Sequence, residues 1–221
     1  MTSIEISRDI AAAPEAVYAA ISDVTRMGEW SEECHTCEWH EGSDGPVVGD
    51  QSTTHTYRVD VEEGTGVAIE DFGPEVERIL SDPRGWTTQD GVGLQRVSGP
   101  ADFVVSLATP DTVDLLCAPL NTEGRVSCAQ EGHAIINVLR WDEGSANSGL
   151  PLAGYRDYVI SHEVGHVLGH SHVDCPGPGV LAPVMMQQTH SIGECAPNPW
   201  PAPDGVPRTD VPEPPEDDDG G

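Results

Sequence analysis

Four chemistry-bearing residues packed into one short segment constrain this chain more than any other feature. The segment reads His162-Glu163-Val164-Gly165-His166-Val167-Leu168-Gly169-His170-Ser171-His172. Residues four apart on an α-helix share a face, so a helix carrying His162 and His166 can aim both imidazoles at one ion. Glu163 lies one step round the helix. There it can reach a water on the ion without being a ligand. Gly169 follows the last residues with helical character. Glycine adopts the left-handed conformation that ends a helix at little steric cost, so the chain can turn back and deliver His172 as a third ligand. Three protein ligands leave a fourth position open, the pattern of a catalytic rather than a structural zinc site. An isolated His-Glu-x-x-His occurs by chance in ordinary amphipathic helices; the glycine and third histidine at matching offsets make this one specific. His170 falls beyond the helix break, with solvent exposure or outer support of the site as its expected place. The cofactor expected is therefore one Zn2+, held by His162, His166 and His172, with Glu163 as general base.

The rest of the composition narrows the partners. The 221 residues carry 38 acidic and 10 basic side chains, a net charge of -28, and every basic residue is Arg. Such a surface repels phosphate backbones and anionic lipid, so nucleic acid is not an expected partner. No run of ~18 apolar residues is present to span a membrane. Met1 to Ile10 lacks a basic stretch followed by an apolar one and does not read as a secretory signal. The six cysteines, Cys34, Cys37, Cys117, Cys128, Cys175 and Cys195, pull the other way, toward an oxidising compartment.

Three zones differ in composition. Residues 1–50 open with a strand-like run, Ile4 to Ile10. Pro14 then begins a helical pattern through Val17, Tyr18, Ile21 and Val24, and a Gly-rich stretch from Gly42 to Gly49 closes the zone. Ala13 to Tyr18 and Ser22 to Ser31 resemble the start of the polyketide-cyclase/START-like (SRPBCC) family of hydrophobic-ligand binders. The long curved sheet and C-terminal helix of that family do not follow, so this zone is expected to be an incomplete βα fragment. Residues 51–200 hold strand-like runs at Thr54 to Val61, Leu94 to Val97, Phe103 to Leu107 and Ala134 to Leu139. They also hold a short helix at Pro74 to Leu80, with Pro74 in its first turn, and a longer helix from Tyr155 to Leu168. From Asp174 onward Pro and Gly predict irregular but anchored chain. Residues 201–221 alternate Pro with Asp and Glu, a composition too poor in apolar residues to bury a core, and are expected to be a disordered tail.

The eleven-residue histidine pattern resembles the metzincin clan of zinc endopeptidases. That clan carries a methionine-containing turn beneath the metal, and Ala182-Pro183-Val184-Met185-Met186-Gln187-Gln188-Thr189 is the candidate here, with Met185 the better-spaced methionine and Met186 the second choice. Further features narrow the resemblance: the Cys117 and Cys128 pair, Ile135 to Trp141, Tyr155 to Tyr158, Cys175 to Gly179, and Cys195 with Asn198 to Pro201. Together they look like an actinobacterial metzincin-like family of unknown function, DUF3152, over about residues 54–201. Its members are typically exported or membrane-anchored, which implies an extracellular or cell-envelope location, although this chain as written shows no anchor and is also compatible with the cytoplasm. Some metzincins place a Tyr two residues after the turn methionine to help hold the transition state; Gln187 stands there in this chain.

The remaining candidates are weaker. Cys34-His35-Thr36-Cys37, with His40 nearby, could form half of a second zinc site, but no second Cys-x-x-Cys completes it, and free thiols are the preferred reading. The other four cysteines have the wrong spacing for a zinc finger. Disulfides are expected, with Cys117–Cys128 and Cys175–Cys195 favoured for their closeness in sequence and other pairings open. No Gly-x-Ser-x-Gly elbow supports a serine hydrolase.

The expected architecture is α+β: a mixed sheet backing an active-site helix, with Ala134 to Leu139 as an edge strand that an extended peptide could join. The expected function is metal-assisted hydrolysis of a peptide or protein substrate by a monomer. Two rivals remain, a noncatalytic zinc-stabilised binding protein and, from residues 1–50 alone, a START-like small-molecule binder.

Overall fold

The computed structural model describes residues 38–209. The proposed START-like helix, the strand at Ile4 to Ile10, Cys34, Cys37 and the acidic end of the chain lie outside them. Within them the fold is α+β, with a mixed sheet and several helices. Seven strands form the sheet: β1 (Trp39–Glu41), β2 (Val47–Gly49), β3 (Thr54–Glu62), β4 (Gly93–Arg96), β5 (Phe103–Ala108), β6 (Cys128–Gln130) and β7 (His133–Asn137). Their order is β2-β4-β3-β5-β7-β6, and β1 pairs with β3. The central strands β4, β3, β5 and β7 run parallel, while β2 and β6 are antiparallel to their neighbours. Strand β5 is buried at every position. This matches its unbroken Phe-Val-Val-Ser-Leu-Ala run, as expected of a parallel strand covered on both faces.

The helices follow apolar spacing. Helix α1 (Ile69–Leu80) buries Phe72, Val76, Ile79 and Leu80 on one face, and Glu70 and Asp71 in its first turn suit the positive end of its dipole. Pro74 sits inside this helix, not in the first turn expected of it; the helix starts five residues earlier, at Ile69. The short helices α2 (Trp86–Gln89), α3 (Pro110–Leu116) and α4 (Val138–Glu143) precede the long α5 (Leu152–Val167). Helix α5 packs against β6, β7 and α1, and its residues from Tyr158 to Gly165 are buried without interruption. It therefore runs through the interior rather than along the surface, which is why it shows no strong amphipathic pattern.

Four expectations change. The sheet begins at β1 and β2, so a domain boundary at residues 50–51 cuts through it. Strand β7 stops at Asn137, whose side chain accepts a hydrogen bond from the Leu139 amide (3.0 Å) and caps α4; Val138 and Leu139 are helical. Strand β7 is not the edge either: β6 covers it and forms the sheet's margin. Finally, the chain after residue 200 is anchored before it reaches the acidic end. Ala202 is buried and its amide donates to Arg84 O (2.8 Å), and Arg208 exchanges two hydrogen bonds with Gln89 (2.8 and 3.0 Å). Among the described residues no helix is long and apolar enough to cross a membrane.

Candidate metal centre

Helix α5 ends in a way that builds the centre. Gly169 has φ +97°. The Gly169 amide donates to His166 O (3.0 Å) and the His170 amide to Gly165 O (2.9 Å). This double closure is the Schellman arrangement, which satisfies the last carbonyls of a helix and reverses the chain. The reversal brings His172 back over the helix. The three Nε2 atoms then lie 3.2 Å (His162–His166), 3.2 Å (His162–His172) and 2.9 Å (His166–His172) apart. His162 is buried, His166 half-buried and His172 exposed, so the cluster opens to solvent on one side.

These contacts are not ordinary hydrogen bonds. His162 Nδ1 lies 2.8 Å from Val184 O and His166 Nδ1 lies 2.8 Å from His170 O. A carbonyl oxygen only accepts, so each Nδ1 carries the proton and each Nε2 presents a lone pair. At least two unprotonated nitrogens therefore face each other near van der Waals contact, and both face His172. Such an arrangement is repulsive on its own and is relieved by a cation between the rings. Backbone carbonyls that orient ligand imidazoles in this manner are a regular feature of metal sites. Burial, with the neighbouring imidazoles adding to it, pushes all three histidines below their ordinary range, His162 to about 3. The neutral, ligating forms thus dominate near neutral pH.

A turn beneath the histidines completes the support. Val184 O holds His162, and the next residue, Met185, is fully buried against the helix. The packing is close enough that a Cβ on Gly165 would collide with both Met185 Sδ and the Trp86 ring. Glycine at position 165 is thereby explained. Met186 O accepts from the Tyr158 hydroxyl (2.9 Å), which in turn accepts from the Gln188 amide (2.9 Å). Of the two candidate methionines, Met185 occupies the place under the cluster.

The histidines open into a cleft of about 490 Å³. One wall is Tyr158, His162, Glu163, His166 and His172, with Gln187, Thr189 and His190 beside them. The opposite wall is the loop from Leu120 to Ser127 and the edge strand at Cys128 and Ala129. Cys117 is disulfide-bonded to Cys128 at the foot of this loop, and Cys175 to Cys195 across the segment leading to and from the Met185 turn. Both pairs are the local ones. Glu163 is buried and faces the cleft; desolvation pushes its carboxyl up to about 8. A divalent cation at the three Nε2 atoms would favour the ionised form.

The structure thus brings together His162, Glu163, His166, His172, Gly169 and Met185. Of the two places expected for His170, solvent exposure is excluded and support from behind the cluster is what the structure shows: the side chain is buried, its Nε2 hydrogen-bonds Asp90 Oδ2 (2.9 Å), its ring stacks on Trp86 (4.4 Å between centroids), and its carbonyl meets His166 Nδ1. Tyr158 is legible in the sequence only as part of the Tyr155 to Tyr158 resemblance, and Asp90, Trp86 and His190 are not legible there as site residues. Tyr158 had a usable signal, since it lies four residues before His162 on the same helix face. Asp90 and Trp86 had none, being about 80 residues away.

The molecule is an α+β protein with a cluster of three histidines, close enough together to hold a metal ion, in a cleft at the edge of a mixed sheet. Residues 28–203 match the family described as Protein of unknown function (DUF3152), and the chain belongs to that family. No curated protein was found to match the chain.

Proposed function

We propose that the protein is a zinc-dependent metalloendopeptidase of metzincin-like build. The observation that carries this reading is the convergence of three histidine Nε2 atoms beside a buried glutamate, in a cleft bounded by a sheet edge. The donor set fits the ion: zinc–nitrogen bonds of ~2.0–2.1 Å at tetrahedral angles hold ligand nitrogens roughly 3.3 Å apart, against 2.9 to 3.2 Å here. Bound there, zinc would supply Lewis-acid activation of water and of a scissile carbonyl.

The chain's own residues account for the rest. Val184 O and His170 O fix the tautomers and directions of His162 and His166. Tyr158 ties the helix to the Met185 turn through its hydroxyl and packs its ring against His162, which keeps that imidazole in place. The Glu163 carboxylate accepts a proton from the attacking water and returns it to the leaving amine nitrogen. An extended peptide lies along β6 and adds to the sheet as a further strand, through main-chain hydrogen bonds that demand little of the sequence. This moves the substrate from the strand expected by pattern to the one at the margin. The two disulfides support an oxidising, extracellular or cell-envelope location.

One observation favours a second reading. Gln187 stands exposed on the cleft where some metzincins carry a transition-state Tyr. A noncatalytic zinc-stabilised binding protein would need the three histidines but not Glu163. Metal analysis with a broad peptide-library digest of wild type and Glu163→Gln separates the two. Zinc with Glu163-dependent cleavage supports the peptidase, whereas zinc without any cleavage in oxidised, zinc-replete protein supports the binding protein.

A further inference from the structure

The turn that follows α5 is held from outside the histidine motif. Residues 86–90 form a clamp on it. Trp86 Nε1 donates to Ser161 O (2.8 Å), one residue before His162, and the Trp86 ring abuts Gly165. The other face of contact is His170, stacked on Trp86 with an interplanar angle of 19°. Asp90, whose own amide donates to Trp86 O (2.9 Å), accepts from His170 Nε2 (2.9 Å). A carboxylate oxygen accepts, so His170 Nε2 is the donor. The His170 side chain is thus fixed by a ring face and a hydrogen bond. Its backbone is fixed by the Gly165 carbonyl. What remains is its carbonyl oxygen, and that oxygen is the acceptor for His166 Nδ1.

We propose that His170, seated by Asp90 and Trp86, is a positioning residue for His166: its carbonyl sets the tautomer and the aim of that ligand. The inference rests on the reading of His162, His166 and His172 as a metal site. Its logic is that an exposed turn of this length, reversed at a glycine, would let the carbonyl swing; anchoring the side chain of the same residue removes that freedom. Outer partners of ligand imidazoles commonly change metal affinity by 10–100-fold when removed.

The test uses the full, disulfide-intact chain with zinc alone in chelator competition and cobalt(II) alone in visible absorption. His170→Ala and Asp90→Ala should each weaken zinc by roughly 10–100-fold, with the double variant no weaker than the worse single one, because both act through one contact. At saturating cobalt(II) the ligand-field bands should move in both variants, which mere loss of stability would not cause. His170→Gln, whose amide can still donate to Asp90, should recover part of the affinity. Ser171→Ala, on the exposed side of the turn, should match wild type. If His170→Ala does not fold, Asp90→Ala decides, since Asp90 sits toward the surface. Folded variants with wild-type affinity and unshifted bands overturn the positioning role while leaving the metal site standing. A folded wild type that takes up neither metal overturns the site and this inference together.

Discussion

The two walls of the cleft are held by different means. On the histidine wall, ring directions and helix ends are set by backbone groups: Val184 O for His162, His170 O for His166, Met186 O and the Gln188 amide for Tyr158. His162, Glu163 and Met185 are buried, and little there can move without stranding a polar group. The facing wall is a surface loop. Leu120 is 54% exposed, and the loop is held by the Cys117–Cys128 disulfide, by Asp114 accepting from Thr122 and Gly124, and by Gln130 reaching Ala118 O. The difference teaches that, on the proposed function, metal binding and substrate contact are separable: the first wall would determine whether an ion is held, the second how a chain lies against it.

Four changes break or sharpen this comparison. The largest effect is expected from the histidine wall itself. Replacing His162, His166 or His172 by Ala should abolish stoichiometric zinc; elemental analysis of gel-filtered protein checks this, and full occupancy in the triple variant would sink the assignment. Next, Glu163→Gln should keep zinc and fold but lower peptide hydrolysis by ~10²–10⁴-fold, the usual contribution of a general base. The measurement is initial rate at matched zinc content, and retention of most of the rate would remove Glu163 from the chemistry.

On the facing wall, converting Cys117 and Cys128 together to Ser releases a loop whose closure entropy is worth about 3 kcal/mol. Denaturant unfolding should show that loss, KM for peptide should rise, and zinc affinity should stay put; a fall in zinc affinity would show that the walls are coupled. The smallest effect is expected at Leu120→Ser. This exposed side chain should change stability by no more than ~0.5 kcal/mol and alter only the ranking of peptides in a library digest. An unchanged ranking would place the substrate elsewhere in the cleft.

How much could be read in advance follows the same division. The three histidines, Glu163, Gly169 and the favoured Met185 lie in short stretches where spacing has direct geometric meaning: i and i+4 share a helix face, and a left-handed glycine ends a helix. Both disulfides joined cysteines close in sequence. The sheet's margin is not legible in the sequence because β6 is only three residues long, too short for alternation to register, whereas the longer run at Ala134 reads as a strand. Pro74 misled because a proline in an amphipathic run reads as a start, while burial of Phe72 and Val76 against the sheet holds the helix on both sides of it.

By itself, then, the sequence determined the convergence of His162, His166 and His172 beside Glu163, because its parts are local: one helix, one turn, one reversal. The tertiary structure alone decided that β6 borders the cleft, that β1 (Trp39–Glu41) and β2 (Val47–Gly49) belong to the sheet, and that Trp86 and Asp90 seat His170. Those outcomes depend on which distant segments pack together. Such packing is selected by burial summed over the whole core rather than by any pattern a short stretch can carry.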